Sequence, residues 1–377
     1  MRRRYAVIAG GGTAGHVFLA LAVARALVAQ GVRPDEVELI GSSRGQDATR
    51  AADQGFPLTL LPGRGIVRHL GVHEVAANAG ALAALGWAVV RALVVVARRR
   101  PRVVVSVGGY ASVPAGLAAA ALRVPLVLVA HDARPGAAQR LLGHFAVASA
   151  VAFPGTGLPH PVLTGTPVRE DLGGVRRSTE AAVAAKLALG IPPDRRVVVV
   201  VGGSLGARRL NEAALALETI FVGRADLTLY HVCGPRNLEE VQAARALLEA
   251  GEEPALCYRL VPFEEDSVSL YAAADVMVCR AGALTVAELS LTGVPAVLVP
   301  LPGAPDDHQH ANAAALVDAG AALELDDEAC TGEQLGTILN ELLAEPGRLE
   351  AMGRAAAALG RPDAAHAVAT LVQAHAR

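Results

Sequence analysis

Residues 279–312 read CRAGALTVAELSLTGVPAVLVPLPGAPDDHQHAN and place a strand, a glycine turn, a helix, a second strand and a polar loop in that order. The apolar runs and their breaks predict the first strand, turn, helix and second strand at residues 275–279, 281–283, 284–291 and 295–299, with the helix stopped at Gly293. A helix that begins where a strand ends presents free backbone N–H groups and the positive end of its dipole, which suit a diphosphate. Glu288, one turn into this helix, is placed to accept hydrogen bonds from a ribose diol.

The polar loop adds neutral hydrogen-bonding groups that suit sugar hydroxyls. It contains Asp306, Asp307, His308 and Gln309, and Asn312 follows it. An ordinary βαβ unit with a polar surface loop has the same pattern, so this segment alone leaves that interpretation open.

Apolar β-type runs alternate with Ala-rich helical runs over most of the chain. One series ends near Pro167, and a second begins with VVVVV at residues 197–201. Such alternation predicts parallel strands joined by right-handed crossovers, and 377 residues exceed the usual size of a single core. We therefore predict an α/β chain of two doubly wound domains, residues 1–167 and 168–360, whose ligand-binding strand ends face an interdomain cleft. Periodicity leaves open whether the final helix, within residues 361–377, packs back on the first domain.

Composition limits the classes of function. Hydrophobic residues make up 53% of the chain and aromatic residues only 3%, so the core must consist of Ala, Val and Leu packed between helices and sheet. A net charge of −2 argues against a nucleic-acid partner.

The longest apolar stretch, residues 76–97, contains Arg91, so no membrane-spanning segment is predicted. The four cysteines are far apart and form no C-x-x-C pair, which predicts reduced thiols and a cytoplasmic location.

Three glycine turns follow predicted strands. Residues 10–15, GGGTAG, match the dinucleotide pattern G-x-G-x-x-G, and similar turns occur at residues 108–112 and 202–208. No acidic residue ends the second strand to bind a ribose, although Arg44 keeps an NADP-binding oxidoreductase open as an alternative. Three turns in two domains favour a site that handles more than one phosphate.

His16 follows the first glycine turn at the start of a helix. The helix dipole disfavours the imidazolium there, so the ring is available as a catalytic base. A capping histidine hydrogen-bonded to the backbone is the alternative interpretation.

Six motifs follow one another between residues 10 and 313: GGGTAGHVFLALAVARAL, VVSVGGYASVPAGLAA, GTPVR, VVGGSLGARRLNEA, LYAAADVMVCRAGALTVAEL and DDHQHANA. In sequence and order they resemble the MurG family of bacterial enzymes, within glycosyltransferase family 28. The resemblance implies the GT-B fold of two Rossmann-like domains, with the acceptor bound mostly by the first and a UDP-sugar mostly by the second. It also implies inverting transfer of N-acetylglucosamine to the C4 hydroxyl of lipid-linked N-acetylmuramyl-pentapeptide in peptidoglycan synthesis, with no cofactor and no obligatory metal.

The resemblance also implies roles for individual residues. Phe263 and Glu264 would border the uracil, Glu288 would bind the ribose, and His308, Gln309 and Asn312 would meet the sugar. Around the diphosphate it implies Thr13, Arg169, Ser204, Arg280, Ala283, Leu284 and Thr285. For the acceptor it implies Gly12, Ala14, Gly15, Gly109, Tyr110, His131 and Arg134. Our first choice for the base is His16 and our second Asp132, while Arg280 and the helix-end amides would stabilise the leaving diphosphate.

Five positions depart from the family pattern. Ala14 replaces a glycine, the usual His-Glu-Gln-Asn run becomes His131-Asp132-Ala133-Arg134, and Thr166 replaces the Asn before Pro-Val-Arg. These departures keep open a related transferase with another acceptor or UDP-sugar, and a UDP-sugar-binding protein without turnover.

A lipid-linked acceptor requires contact with an anionic membrane surface, which predicts a peripheral protein on the inner face of the cell membrane. An apolar run with Leu70, Leu82, Leu85 and Trp87 is flanked by Arg64, Arg68, Arg91, Arg98, Arg99, Arg100 and Arg102. The alternative is that Leu and Trp belong to the core and the arginines to a solvated face. Other cell-wall synthesis proteins are further candidate partners.

Overall fold

A computed structural model describes the chain except for residues 1–2, 12–13, 44–53, 63–71, 176, 204 and 249–255. It also leaves out the side chains of Ala14, Leu248, Pro346 and residues 72–83. Two compact units make up the structure: Met1–Arg169 with Pro362–Arg377, and Glu170–Arg361. Each unit contains a parallel sheet with helices, which confirms the predicted α/β class.

The first unit contains a seven-stranded sheet in the order β3-β2-β1-β4-β5-β6-β7, and every neighbouring pair is parallel. Its strands are β1 Ala6–Gly10, β2 Val37–Ser42, β3 Leu58–Leu61, β4 Val103–Gly108, β5 Leu126–Ala130, β6 Ala148–Val151 and β7 Pro161–Leu163. Alternate residues of β1 enter two separate cores: Ala6 and Ile8 in one, Val7 and Ala9 in the other. Because both faces are covered, the strand reads as a continuous apolar run.

Within the described residues of the first unit, four helices follow its strands. They are α1 Ala14–Ala29, α2 Val72–Arg99, α3 Ser112–Ala121 and α4 Ala137–Gly143. Small residues dominate the buried positions of α3, where Ala115, Ala118 and Ala119 are fully buried. Small side chains let the helices approach the sheet closely, as the low aromatic content predicts.

The second unit contains a six-stranded sheet in the order β10-β9-β8-β11-β12-β13, again with parallel pairs throughout. Its strands are β8 Arg196–Val201, β9 Leu227–Val232, β10 Cys257–Val261, β11 Val276–Cys279, β12 Ala296–Leu298 and β13 Ala322–Glu324. The helices are α5 Thr179–Ala188, α6 Arg208–Ile220, α7 Leu238–Leu248, α8 Ser267–Ala273, α9 Ala283–Thr292, α10 His308–Asp318, α11 Gly332–Ala344 and α12 Pro346–Ala358.

The final helix, α13 Ala364–His375, belongs to the first unit. Its buried residues Val368, Ala369 and Val372 join the same core as α1. The Gln30 side chain, just after α1, donates a hydrogen bond of 3.0 Å to the His366 carbonyl. Tertiary packing therefore decides what the periodicity of this helix left open.

Two further sequence expectations concern the interior and the membrane. All four cysteines are free thiols, and Cys233, Cys279 and Cys330 are buried. Within the described part of the chain, no helix is both long enough and apolar enough to cross a bilayer.

Candidate functional site

Two glycine turns meet at the carboxyl edge of the first sheet, because β1 and β4 are neighbours. Gly108 ends β4 and Gly109 follows it, with φ of 98° and 75°, in the left-handed region that favours glycine. A Cβ atom on Gly109 would lie 2.2 Å from the Gly11 carbonyl oxygen, so a side chain cannot fit there. The close approach leaves a backbone surface beside the start of α1.

His16 lies against this surface. Its Nε2 would be 3.1 Å from a Cβ atom on Gly108, and its Nδ1 would be 3.2 Å from one on Gly109. Burial, and after it repulsion from His131, lower the pKa of His16 from 6.5 to about 3, although Asp132 acts in the opposite direction. The imidazole is therefore neutral at physiological pH.

Asp132 and His131, which directly follow β5, complete a cluster with His16. The His131 ring lies edge-on to the His16 ring with a centroid distance of 5.2 Å. Its Nε2 lies 3.5 Å from Asp132 Oδ2. The structure thus brings together both candidates for the base and one predicted acceptor residue.

Tyr110 connects two strand ends of the first unit. Its hydroxyl donates a hydrogen bond of 2.9 Å to Ser42 Oγ at the end of β2. Ser42 and Tyr110 line a small pocket together with Leu61, Leu85 and Pro114. Tyr110 therefore supports the loop that also carries Gly109.

In the second unit, α9 begins directly after the turn that follows β11. Gly282 is its N-cap with extended backbone, and the helix ends at Gly293 with a left-handed φ of 69°. Asn312 is fully buried and donates a hydrogen bond of 3.2 Å to the Ala281 carbonyl. Its observed contact therefore holds the turn that precedes α9.

Glu288 projects from α9 and is oriented by a tyrosine. Its Oε2 accepts a hydrogen bond of 2.7 Å from the Tyr271 hydroxyl. Burial, and then the neighbouring Glu288, raise the pKa of Tyr271 well above 10, so this hydroxyl remains a donor. The carboxylate that is predicted to bind a ribose thus has a fixed orientation.

Arg280 lies between β11 and the turn, where its guanidinium is also held in place. Its Nη1 donates to the carbonyls of Val299 and Pro300 at 3.1 and 3.2 Å, and lies 2.6 Å from Asp327 Oδ1. A cation with three oxygen partners is rigid, which suits charge stabilisation without reorganisation.

Phe263 and Glu264 follow β10. The Phe263 ring is exposed, although large apolar side chains are mostly buried elsewhere in the unit. Glu264 accepts hydrogen bonds from the Tyr230 hydroxyl at 2.5 Å and from the Asp266 amide at 2.8 Å. The Glu264 carboxylate therefore stabilises its own loop, which presents Phe263 to solvent.

The predicted polar loop is wrong for its second half, because His308, Gln309 and Asn312 belong to helix α10. Asp306 and Asp307 make the turn before it, with φ of 55° and 54°. Gln309 Oε1 accepts a hydrogen bond of 2.9 Å from the Leu301 amide. Ala residues at 311 and 313–315 continue the helix, and helix propensity outweighs the polar character that favoured a loop.

Comparison with known proteins now identifies the family. Residues 6–151 match the glycosyltransferase family 28 N-terminal domain, and residues 197–368 match the C-terminal domain. The UDP-N-acetylglucosamine–N-acetylmuramyl-(pentapeptide) pyrophosphoryl-undecaprenol N-acetylglucosamine transferase of Alkalilimnicola ehrlichii is 39% identical, covering 98% of this chain and 99% of its own. The protein of the same name from Acidothermus cellulolyticus is 38% identical over 98% of this chain and 97% of its own. The chain belongs to glycosyltransferase family 28.

A solved structure of this family agrees with the fold. MurG of Acinetobacter baumannii is 31% identical and superposes with a TM-score of 0.75, covering 99% of this chain and 100% of that one. The predicted family and the predicted GT-B fold class are therefore confirmed.

The remaining predicted site residues differ in exposure, and some of them lie outside the described residues. Gly12, Thr13 and Ser204 lie outside the described residues, and Ala14 is described only as the first residue of α1. Gly15, Leu284 and Thr285 are half-buried, Ala283 is buried, and Arg134 and Arg169 are exposed. Their roles stay predictions.

Sequence reasoning missed the residues that orient the predicted ones. Tyr271 and Asp327 hold Glu288 and Arg280, and buried Gln139 on α4 donates a hydrogen bond of 3.0 Å to the Val129 carbonyl beneath the His16 cluster. A polar residue within an Ala- and Leu-rich helix was the available signal for Gln139. For Tyr271 and Asp327, no spacing in the sequence indicates the partner.

One group of side chains has the composition of a metal site. His310, Glu324 and Asp326 place one ligand atom each within 4.8 Å of one another. His310 Nδ1 lies 2.7 Å from Glu324 Oε1, and this hydrogen bond raises the pKa of His310. An imidazole held by a carboxylate at the surface accounts for the arrangement, so we assign no metal to it.

Proposed function

We propose that this family 28 enzyme transfers N-acetylglucosamine from UDP-N-acetylglucosamine to the C4 hydroxyl of lipid-linked N-acetylmuramyl-pentapeptide, with inversion at the anomeric carbon. The observation that carries the proposal is the match, over nearly the whole length of both chains, to transferases named for this reaction. In the reaction, the acceptor oxygen forms a bond to the anomeric carbon as the bond from that carbon to the phosphate oxygen breaks. UDP leaves with the bonding electron pair, and a base takes the acceptor proton.

The second unit is the proposed donor-binding unit. The start of α9 directs backbone N–H groups to a diphosphate, and Arg280 is held at the same strand end by Asp327. Glu288, oriented by Tyr271, binds the ribose, and exposed Phe263 borders the uracil. Arg280 and the helix amides neutralise the leaving diphosphate, so we propose that turnover requires no resident cofactor or metal. We expect turnover to survive exhaustive treatment with a chelator. Loss of turnover after chelation would contradict the proposal that no metal is required.

The first unit is the proposed acceptor-binding unit, with His16 as the base. A pKa of about 3 keeps His16 unprotonated but makes it a weak base, since general-base catalysis is most efficient when the pKa is near the working pH. Asp132 compensates in part, because its carboxylate favours the imidazolium that forms when His16 accepts the proton. His16 and Asp132 therefore act as a pair.

A double-mutant cycle tests this pairing. We expect His16→Gln and Asp132→Asn each to lower kcat strongly, and the double variant to be little worse than His16→Gln alone, because both changes remove one function. Affinity for the donor should remain unchanged. Fully additive effects would contradict the pairing, and unchanged kcat in His16→Gln would remove it as the base.

Helix α2 is the proposed membrane-binding element. Ala88, Ala92 and Val96 are buried at four-residue spacing, while Trp87, Val90 and Val94 are exposed on the other side of the helix together with Arg91 and Arg98. Exposed apolar side chains beside arginines suit shallow insertion into an anionic membrane surface. Arg99 has a different role, because it forms an ion pair of 2.9 Å with buried Glu38. We accordingly place the enzyme on the inner face of the cell membrane.

Vesicle flotation tests the membrane-binding element. We expect the protein to float with anionic vesicles and Trp87→Glu to remain in the soluble fraction. Leu247→Glu is the matched control, since Leu247 is also an exposed apolar residue, but of α7. Equal flotation of Trp87→Glu and Leu247→Glu would refute the assignment of α2.

The reaction itself is tested by UDP release from a panel of UDP-sugars, with and without lipid-linked N-acetylmuramyl-pentapeptide. Release with UDP-N-acetylglucosamine only when this acceptor is present is the expected result. The changes at Ala133, Arg134 and Thr166 favour one competing outcome, release with a different acceptor or sugar. Donor binding without release under any condition would indicate a protein that has lost turnover.

A further inference from the structure

Three loops at the carboxyl edge of the second sheet are packed against one another. They follow β8, β9 and β10, which are adjacent strands. Gly206, in the loop after β8, has a φ of 75°, and a Cβ atom on it would lie 2.1 Å from the Cys233 carbonyl oxygen. Gly234 donates a backbone hydrogen bond of 3.1 Å to the Pro262 carbonyl in the loop after β10. Cys233 and Gly234 therefore contact both neighbouring loops.

Asn237 strengthens the contact between two of these loops. Its side-chain Nδ2 lies 3.1 Å from the Leu205 carbonyl and 2.9 Å from the Cys233 carbonyl. The loop after β8 is the second unit's glycine turn, and the loop after β10 carries Phe263. The loop after β10 borders the uracil in the proposed function, and the family resemblance assigns Ser204, which follows β8 in the sequence, to the diphosphate of the same UDP-sugar.

Three polar side chains, the buried Asn211 and His231 and the half-buried Tyr258, form a hydrogen-bonded chain that leads to the same Cys233 carbonyl from inside the unit. Asn211 of α6 donates from Nδ2 to the Cys233 oxygen at 3.0 Å. Its Oδ1 lies 2.9 Å from His231 Nε2, and His231 Nδ1 lies 2.7 Å from the Tyr258 hydroxyl. His231 is fully buried on β9, and Asn211 is buried.

The direction of each hydrogen bond among Tyr258, His231 and Asn211 follows from the bond that Asn211 donates to the Cys233 carbonyl. Because the Asn211 amide group donates to a carbonyl, its Oδ1 must accept, so His231 Nε2 carries the hydrogen. His231 Nδ1 then accepts from the Tyr258 hydroxyl. Burial lowers the pKa of His231 to about 4, which keeps the ring neutral and this order intact at physiological pH.

The outer end of the chain is also held in place. The Arg245 guanidinium lies over the Tyr258 ring, 4.6 Å from its centroid. Arg245 in turn binds buried Glu218, with Nη2 to Oε1 at 2.8 Å and Nε to Oε2 at 3.0 Å. Tyr258 therefore has a fixed ring as well as a fixed hydroxyl.

We propose that Asn211, His231 and Tyr258 are positioning residues that set the geometry of the donor-binding loops through the Cys233 carbonyl. The inference rests on the proposed function, since it assigns those loops to the UDP-sugar. Burial of polar groups is unfavourable unless all of them are hydrogen-bonded. An apolar residue at position 231, in the middle of a parallel sheet, would pack without needing any hydrogen-bond partner. The chain ends on the carbonyl that touches Gly206, and so it transmits the position of β9 and α6 to the glycine turn.

Four variants test the inference by their effects on the donor alone. His231→Leu breaks both hydrogen bonds, whereas His231→Gln can still donate to Asn211. Tyr258→Phe removes only the outer hydroxyl. Thr228→Val is the matched control, because Thr228 is fully buried on the same strand and its Oγ1 has no hydrogen-bond partner within the described residues.

The measurements are Kd for UDP-N-acetylglucosamine by calorimetry, and KM for each substrate with kcat. We expect His231→Leu to raise Kd and donor KM about tenfold, the effect of losing a buried hydrogen bond, with kcat at saturation and acceptor KM unchanged. His231→Gln should return Kd to within about threefold of the original protein, Tyr258→Phe should raise it about threefold, and Thr228→Val should leave it unchanged. A general loss of folding would instead lower kcat and the thermal midpoint together.

Two sets of results separate the inference from the proposed function. If Glu288→Ala weakens donor binding but folded His231→Leu and Tyr258→Phe bind the donor normally, the positioning role is wrong and the donor site stands. If His231→Leu does not fold, Tyr258→Phe decides the question: donor binding by folded Tyr258→Phe with an unchanged Kd overturns the role. If the unmodified protein does not bind UDP-N-acetylglucosamine, the proposed function itself fails.

Discussion

Acid should destabilise the second unit through one buried side chain, His231. Burial lowers its pKa from 6.5 to about 4. Between these two values the unfolded chain binds a proton that the folded chain does not bind. Stability is therefore fully present above pH 6.5 and decreases as the pH falls toward 4.

The size of the effect follows from the two pKa values. At pH 5 the unfolded His231 is almost fully protonated and the folded one almost fully neutral. The difference is roughly 1.5 pH units at about 1.36 kcal/mol per unit, or about 2 kcal/mol of unfolding free energy lost relative to pH 7. This loss is a large fraction of the stability of an ordinary domain.

His231→Gln provides the perturbation, because Gln does not titrate and retains the bond to Asn211. Urea unfolding at pH 7 and pH 5, followed by the fluorescence of an extrinsic label on the second unit, measures the free energy at each pH. We expect the variant to lose about 2 kcal/mol less than the original protein over this interval. His366→Gln is the control, since His366 lies exposed on α13 in the first unit.

Equal pH dependence of the original protein and His231→Gln would refute the reasoning. A direct observation can refute it as well. If the imidazole resonances of His231 titrate near pH 6.5 in the folded protein, then burial does not exclude the proton, and the ordered hydrogen-bond chain through Asn211 loses its physical basis.

Three further predictions concern other parts of the fold. Glu38→Gln should lower the unfolding free energy by about 3 kcal/mol, because Arg4 and Arg99 both bind this buried carboxylate at 2.8 and 2.9 Å. Asp35→Asn is the control, since Asp35 forms an exposed pair with Arg33, and it should change the unfolding free energy by less than about 1 kcal/mol in the same urea titration. Equal effects of the two substitutions would contradict the argument. Gly31→Ala should lose about 1 kcal/mol through its left-handed φ and keep full turnover, since a Cβ atom there meets nothing within 4 Å. Gly109→Ala should lose more stability than Gly31→Ala and abolish turnover, because its Cβ atom would also lie 2.2 Å from the Gly11 carbonyl oxygen; a fully active Gly109→Ala enzyme would show that the contact with Gly11 is dispensable. Asp327→Asn should raise the donor KM about tenfold by weakening the ion pair that holds Arg280, and an unchanged KM would mean that Arg280 is positioned by the Val299 and Pro300 carbonyls alone.

Local chain chemistry makes much of this protein readable from its sequence. The run at residues 197–201 is a buried strand, and α9 ends at Gly293 because glycine adopts the left-handed conformation that stops a helix. Side-chain period, glycine and apolar content act between near neighbours, so they determine strands, helices, turns and the α/β class. The order of the six sequence motifs also predicts the family. The same reasoning fails at His308 and Gln309, which belong to helix α10 although their polar character favoured a loop.

The contacts that orient the site were decided by tertiary structure. Tyr271 reaches Glu288 across 17 positions, and Arg280 meets Asp327 from another strand end. His231 meets Asn211 because β9 lies beside β8 and α6 follows β8. Such partners are distant in sequence, and they come together only when the order of strands in each sheet is set. The physical reason is that secondary structure depends on local propensity and period, whereas a hydrogen bond between side chains depends on the packing of elements that the chain joins far apart.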